Sequence, residues 1–413
     1  MQQSGTHWPS LGQFILSSLA ALGGLAVAGL LFCSGLLTLT GQTGMPAADS
    51  VPVFILTWAA ALVAVLMLPS AAFSLLRLLG KRPPALEWKG RFVVASVLMF
   101  IWPLLVALSS PLGQTELAWL LLPPVMLAAI LIPIWWYIEF GRRGLAVTGP
   151  QRTWGVVVFS TLVSVPAIIT AEVVTILFVA SGVMVWFTSR PELARRVTAL
   201  IERLQTVDLT PELVERLAAP FIEEPVFLFA TLFVVAVFTP LIEELLKPLA
   251  VWLAGGARLT PAQGYWLGMV SGAAFALVET LGLAGSTTGP DAASVLVARL
   301  STGLLHIVTA GLTGWAMAAT WRDGRYLRLV GAYVLAVAIH GLWNAFGVFV
   351  GFSPLITPDL ALPADPLAAA LTQASLPVLA GLVVINLVIL FWMNRQLRRS
   401  EMPAVNVVES TAG

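Results

Sequence analysis

Charge is scarce in this chain. Only 10% of its 413 residues are Asp, Glu, Lys or Arg, and 58% are hydrophobic, whereas about a quarter of a soluble globular domain is charged. The net charge of +1 provides no basic excess for binding nucleic acid. The single cysteine, Cys33, excludes an internal disulfide and a thiolate metal cage. These shortages exclude an ordinary soluble domain and predict a protein whose partner is the lipid bilayer.

The apolar residues are grouped in runs of about 20 or more, the length of a helix that crosses the hydrocarbon core of a membrane. Transmembrane β-strands would be about half as long and would alternate apolar with polar residues. The sequence therefore predicts an all-α, polytopic transmembrane helix bundle. About ten spans are expected, at residues 14–39, 54–76, 92–108, 117–140, 154–187, 227–253, 265–285, 294–320, 327–350 and 376–393.

The loops predict the orientation of these spans, because Lys and Arg in short loops stay on the cytoplasmic side. Arg77, Arg142 and Arg322 represent basic loops that follow even-numbered spans. The alternate short loops, such as those around Asp49 and Glu116, contain no Lys or Arg. Both termini are therefore expected in the cytoplasm.

One long segment on the predicted outer side, residues 188–224, carries charges of both signs. Leu193 and Val197 begin an apolar pattern at helical spacing, and Thr210 before Pro211 is typical of the start of a second helix. We interpret the segment as an amphipathic extracytoplasmic insert, which either rests on the membrane surface or serves as a docking or gating element. The predicted organisation is a five-span region of unassigned role, the insert, a four-span catalytic core, and a final loop, span and tail: residues 1–187, 188–224, 225–351 and 352–413.

Ionisable groups inside the bilayer are costly and therefore indicate a functional site. The first five spans contribute Glu172, to which no role is assigned. Spans six to nine contribute a concentrated set of carboxylates, histidines and cations: Glu243, Glu244, Lys247, Glu279, Arg299, His306 and His340.

Span six contains two adjacent carboxylates. Glu243 and Lys247 are separated by four residues, the spacing at which an ion pair forms along a helix. Glu244 points about 100° away around the helix. Pro248 has no N–H for the carbonyl of Glu244, so the helix is expected to bend there. These residues predict either a hydrated catalytic pair or a buried ion pair in a bent helix.

Glycines in span seven indicate that its carboxylate faces protein. Gly268 and Gly272 lie on the same helical sector as Glu279, and small residues allow two helices to approach closely in a membrane.

Spans eight and nine provide the two intramembrane histidines. Arg299 lies about two turns before His306 on nearly the same face, and His340 and Asn344 lie one turn apart. A lone histidine on an apolar helix is more often a core residue, but these histidines accompany three carboxylates.

This combination fits hydrolysis of an amide by water. One carboxylate would take a proton from water, and the histidines or Asn344 would stabilise the oxyanion and protonate the amine. Metal use stays open at this point. Two histidines and a glutamate would satisfy zinc, while a mechanism based on paired glutamates needs no metal.

Four motifs within residues 227–350 resemble those of the PrsW-type intramembrane proteases, distant relatives of the CAAX-processing and bacteriocin-immunity membrane proteases. The order and the spans of the motifs match those of the family. Glu-Glu-x-x-Lys corresponds to Glu243, Glu244 and Lys247, and Phe-x-x-x-Glu to Phe275 and Glu279. The Arg and His of the third motif correspond to Arg299 and His306, and His-x-x-x-Asn to His340 and Asn344. An Asn often follows the second-motif glutamate in the family, where this chain has Thr280.

The resemblance implies an intramembrane endopeptidase of the bacterial cytoplasmic membrane. Its substrate would be a membrane-anchored protein, as anti-sigma factors are for family members in stress signalling. The catalytic residues would be Glu243, Glu244, Glu279, His306 and His340, supported by Lys247, Phe275, Arg299 and Asn344. Glu243, Glu279, His306 and His340 are expected to converge on one polar cavity. An ion-coupled transporter, which also has midplane carboxylates, and a non-catalytic membrane scaffold are the alternatives.

Overall fold

A computed structural model shows an all-helical protein, and no strand occurs in the part of the chain that it describes. The described residues are 7–81, 84, 88, 90–206, 225–255, 259–285, 292–352 and 366–401. Ten helices within these ranges are long and apolar enough to cross a membrane. The predicted fold class and the predicted number of spans are therefore confirmed.

The N-terminal part of the chain forms six α-helices within the described residues. A π-helical segment, Ser160–Ser164, interrupts its fifth span. The helices are α1 (Trp8–Leu39), α2 (Ser50–Leu78), α3 (Arg91–Gly113), α4 (Ala118–Arg142), α5 (Pro150–Phe159) and α6 (Val165–Thr188).

The predicted insert begins with a helix, α7 (Pro191–Thr206). Leu193, from its predicted apolar face, is buried. The predicted second helix at Thr210 and Pro211 lies outside the described residues, and the position of the insert outside the membrane stays a prediction.

The C-terminal part contains the sixth to tenth spans. Its sixth span is divided by a second π-helical segment, Phe233–Phe238, and again at Lys247 and Pro248. The last helix begins at Pro366, ten residues before the predicted span. The helices are α8 (Pro225–Leu232), α9 (Thr239–Leu246), α10 (Leu249–Gly255), α11 (Pro261–Ala284), α12 (Ala292–Asp323), α13 (Tyr326–Phe352) and α14 (Pro366–Glu401).

The chain forms two compact units whose segments alternate along the sequence. Unit 1 comprises Met1–Val165, Lys247–Ala336 and Val383–Gly413, and unit 2 comprises Pro166–Leu246 and Val337–Leu382. The linear division into four regions stays a prediction.

Unit 1 has a glycine-lined contact between α11 and α12. A Cβ added to Gly268 would meet the carbonyl oxygen of Ala310, and one added to Gly272 would meet the carbonyl oxygen of His306. The predicted close-approach face therefore exists, and it brings the backbone of α11 directly against the backbone that carries His306. These two helices are the least apolar of the ten candidate spans in the described ranges and also the most buried.

Unit 2 has a similar close approach between the sixth span and α13. Pro240 has no N–H to donate to the carbonyl of Ala236. A Cβ on Gly341 would lie 2.5 Å from that carbonyl oxygen. Gly341 thus allows α13 to approach the irregular part of the sixth span, which places its neighbour His340 close to α9.

Candidate active site

The nine residues singled out by the four motifs form two groups, one in each unit. The lysine–histidine cluster of unit 1 consists of Lys247, Phe275, Glu279, Arg299 and His306. The paired-glutamate cluster of unit 2 consists of Glu243, Glu244, His340 and Asn344. The expected convergence of Glu243, Glu279, His306 and His340 on one cavity stays a prediction.

A chain of hydrogen bonds runs through the lysine–histidine cluster. Nζ of Lys247 lies 2.8 Å from Nδ1 of His306. Because an ammonium group can only donate, Nδ1 is the acceptor, and the proton of a neutral imidazole must be on Nε2. Nε2 lies 2.9 Å from Oε2 of Glu279 and donates to it. Both Lys247 and His306 are buried, so their contact fixes the tautomer and the orientation of the ring.

Arg299 binds Glu279 at the other end of this series of hydrogen bonds. Its Nη1 and Nη2 lie 3.2 and 2.5 Å from the two carboxylate oxygens of Glu279, a bidentate contact. Its Nε donates to the hydroxyl of Thr280 at 3.0 Å. Thr280, which stands where the family often has Asn, therefore supplies an oxygen that orients the guanidinium group.

Phe275 provides the apolar wall of the same cluster. Its ring lies edge-on to the ring of His306, with centroids 4.9 Å apart. Nζ of Lys247 lies 4.6 Å from the centroid of Phe275, within cation–π distance. Phe275 thus contacts both members of the lysine–histidine pair and limits the directions in which they can move.

Two serines that the sequence reasoning missed position the backbone of Lys247. The hydroxyl of Ser271 donates to the carbonyl oxygen of Lys247. The hydroxyl of Ser160 lies 2.8 Å from that of Ser271. Ser160 begins the π-helical segment in the fifth span, so this segment is linked to the cluster. The sequence signal that could have found the serines is their position inside apolar spans, where a hydroxyl requires a partner.

The paired-glutamate cluster is centred on His340. Nδ1 of His340 lies 2.9 Å from Oε1 of Glu244, and its Nε2 lies 3.9 Å from Oε2 of Glu243. An ionised carboxylate can only accept, so Nδ1 carries the proton and the lone pair of a neutral ring is on Nε2. All three side chains are buried. The two adjacent glutamates thus contact different nitrogens of one ring.

Asn344 lies one turn beyond His340 on α13 and donates from Nδ2 to the carbonyl oxygen of Val235 at 2.9 Å. Val235 belongs to the π-helical segment Phe233–Phe238, where the regular pattern of backbone hydrogen bonds is shifted. In the described structure Asn344 therefore stabilises the irregular backbone that precedes the glutamates. This contact does not involve the carboxylates themselves.

The paired-glutamate cluster has donors that suit a divalent metal ion. Oε2 of Glu243 and Nε2 of His340 are 3.9 Å apart, a separation compatible with two ligands that each lie about 2.1 Å from one zinc ion. Glu244 on Nδ1 of His340 resembles the outer carboxylate that orients metal-binding histidines. The residues therefore fit a metal through one carboxylate and one imidazole of unit 2.

Carboxylates paired with histidines inside apolar helices define the class of this protein: a polytopic membrane protein with acid–histidine clusters built within its spans. Membership of a particular family follows from comparison with known families. The model of the PrsW family of intramembrane metalloproteases matches residues 152–382, more than half of the chain, and the chain belongs to this family. No curated protein and no solved structure matches the chain. Family membership supports an intramembrane protease function.

Proposed function

We propose that this protein is an intramembrane endopeptidase that cleaves membrane-anchored proteins with a water molecule activated by Glu243. The observation that carries the proposal is the placement of Glu244 at Nδ1 and Glu243 at Nε2 of the His340 ring. Family membership supports the reaction class. Cleavage in regulated signalling is the proposed physiological setting.

Each member of the paired-glutamate cluster has a separate proposed role. Glu244 holds the proton on Nδ1 of His340, so that the Nε2 lone pair is available on the side of Glu243. A distance of 3.9 Å between Nε2 and Oε2 is short enough for one water molecule to contact both atoms. Glu243 takes a proton from this water as the oxygen of the water attacks the scissile carbonyl. The C–N bond then breaks, and the proton passes to the leaving amine.

A metal ion bound by Glu243 and His340 would make the water more acidic and would polarise the scissile carbonyl. In that form His340 is still oriented by Glu244, but Nε2 of His340 and a carboxylate oxygen of Glu243 would hold the ion instead of the water. The catalytic roles predicted for Glu279 and His306 stay part of the proposal. Within unit 1, Lys247 and Arg299 place positive charge beside these two side chains and hold them in position.

The decisive experiment measures cleavage of a single-span reporter protein by the full chain in proteoliposomes. Glu243→Gln keeps the shape of the side chain but cannot accept the proton of an attacking water. It should lower the cleavage rate by about 10²- to 10⁴-fold, the usual effect of losing a general base, and should leave the melting temperature unchanged. Glu172→Gln, an intramembrane carboxylate outside both clusters, is the matched control and should cleave at the wild-type rate.

A chelator distinguishes the two forms of the mechanism. Loss of cleavage on chelation and its return on adding zinc would support a metal held by Glu243 and His340. Undiminished cleavage would support the mechanism without metal. Equal cleavage by Glu243→Gln and the wild type would refute the role of Glu243. Absence of cleavage by the wild type, combined with proton-coupled uptake of a solute, would favour the transporter.

A further inference from the structure

A second polar region of unit 1 contains none of the motif residues. It is a cavity of about 890 Å³ formed by the beginning of α1, the end of α2, the beginning of α5, and α10. Binding pockets for small molecules have volumes of about 300–1,000 Å³. The cavity is therefore large enough for a headgroup together with part of an acyl chain.

The charge of the cavity is positive. Its charge comes from Arg77 and Arg152, His7 also lines it, and no Asp or Glu occurs among the described residues of the lining. Gly149 and Pro150, at the N-terminus of the ten-residue helix α5, also line it. The positive end of the helix dipole adds to the attraction for an anion.

The guanidinium group of Arg77 is held in place by a neutral side chain. Its Nη1 donates to Oε1 of Gln151 at 3.0 Å. Gln151 is itself anchored to α1, because its Nε2 donates to the hydroxyl of Ser10 at 2.7 Å and its carbonyl accepts from Gln13 at 3.1 Å. Three helices thus orient a cation toward a cavity whose described lining has no carboxylate to neutralise it.

The cavity lies at the ends of candidate membrane spans. His7 directly precedes the first span, Arg77 is in the last turn of the second, and Arg152 is in the first turn of the fifth. The ends of membrane spans are expected at the level of the lipid headgroups. Val156, Phe159 and Leu253 supply an apolar wall beside the charges. A ligand that satisfies both parts has an anionic head and a hydrocarbon tail.

We propose that this cavity binds the phosphate group of an anionic phospholipid, with Arg77 and Arg152 as its cationic contacts. Basic pockets between transmembrane helices are suited to such headgroups. The guanidinium fork of Arg77 can donate two parallel hydrogen bonds to phosphate oxygens. The proposal is independent of the protease activity, because none of its residues belongs to either cluster.

The test uses the purified full chain in detergent and follows its melting temperature during titration with phosphatidylglycerol. Phosphatidylcholine with the same acyl chains tests the need for net negative charge, and glycerol phosphate tests the need for a lipid tail. Only phosphatidylglycerol should raise the melting temperature. Arg77→Gln and Arg152→Gln should each weaken the apparent affinity by about fivefold, which corresponds to one cation at a headgroup. The double variant should weaken it by about 25-fold.

Arg399→Gln is the matched control, since Arg399 is exposed near the end of α14 and does not line the cavity. It should bind phosphatidylglycerol as the wild type does. Equal shifts with phosphatidylcholine, an equal shift with glycerol phosphate, or an equal loss in Arg399→Gln would each overturn the proposal. If Arg77→Gln fails to fold because its anchoring contacts are lost, Arg152→Gln alone decides, because Arg152 is exposed.

Discussion

Oε1 of Glu244 lies 2.9 Å from Nδ1 of His340, and both side chains are buried. A carboxylate at this position fixes the tautomer and the orientation of the imidazole. In Glu244→Gln, the amide oxygen can still accept from Nδ1 but the charge is lost. We expect a 10- to 100-fold loss of cleavage, the usual effect of losing such an outer contact, and therefore a smaller loss than in Glu243→Gln.

Glu244→Leu, which removes the acceptor altogether, should lose more activity than Glu244→Gln. Rates for all three variants should be measured on the same reporter substrate. If Glu244→Gln proves as inactive as Glu243→Gln, the division of roles between the two carboxylates is incorrect.

Lys247→Met removes the donor to Nδ1 of His306 from a fully buried position. A buried acceptor that loses a charged partner lowers the free energy of unfolding by about 1–3 kcal/mol, so the melting temperature should fall. Activity should fall as well, because the ring of His306 is no longer held at Nδ1. Lys81→Met, at an exposed lysine, is the control and should change neither property. Normal cleavage and normal stability in Lys247→Met would contradict the proposed role of the contact.

Ser271→Ala tests whether the hydroxyl that donates to the carbonyl oxygen of Lys247 acts as a positioning group. We expect a stability loss of about 1 kcal/mol, the value of one hydrogen bond, together with a lower kcat, an unchanged KM and an altered pH profile of kcat. Ser109→Ala is matched to it, since Ser109 is also buried and donates to a backbone carbonyl, that of Val106. It should lose similar stability but keep its activity. Equal kinetic effects in the two variants would show that Ser271 contributes to stability only and does not position Lys247.

Gly272→Ala tests the contact between α11 and α12. The new methyl group would collide with the carbonyl oxygen of His306, so the helices must separate. Overpacking of this kind costs about 1–3 kcal/mol, and displacement of His306 should also lower activity. Gly282→Ala, on the same helix with no atom within 4 Å of the added Cβ, should show neither effect. The melting temperature and the cleavage rate of the two variants decide the outcome.

The sequence predicted the features that depend on composition and regular spacing. Runs of apolar residues predicted the ten spans, because the bilayer requires that length of continuous helix. Gly268 and Gly272 predicted the close-approach face of α11, because helical spacing places small residues on one side. The family motifs predicted which residues to examine, although the chemical role of each stays a proposal.

Irregular backbone limited the prediction of the sites. The π-helical segments at Ser160–Ser164 and Phe233–Phe238 each add one residue to a turn and rotate the following side chains by about 100°. Spacing along span six suggested Glu243 as the partner of Lys247. The contact of Lys247 with His306 joins residues far apart in sequence, so no periodicity within one helix could have indicated it.

The low hydropathy of α11 and α12 has a consequence for biosynthesis. A charged residue within a helix raises the free energy of insertion by the translocon. Glu279 lies on α11 and Arg299 on α12, and the two can pair only once both helices have been synthesised. These two segments should therefore enter the lipid together as a hairpin. The same ion pair that orders the lysine–histidine cluster in the mature protein would then assist the nascent chain during its integration.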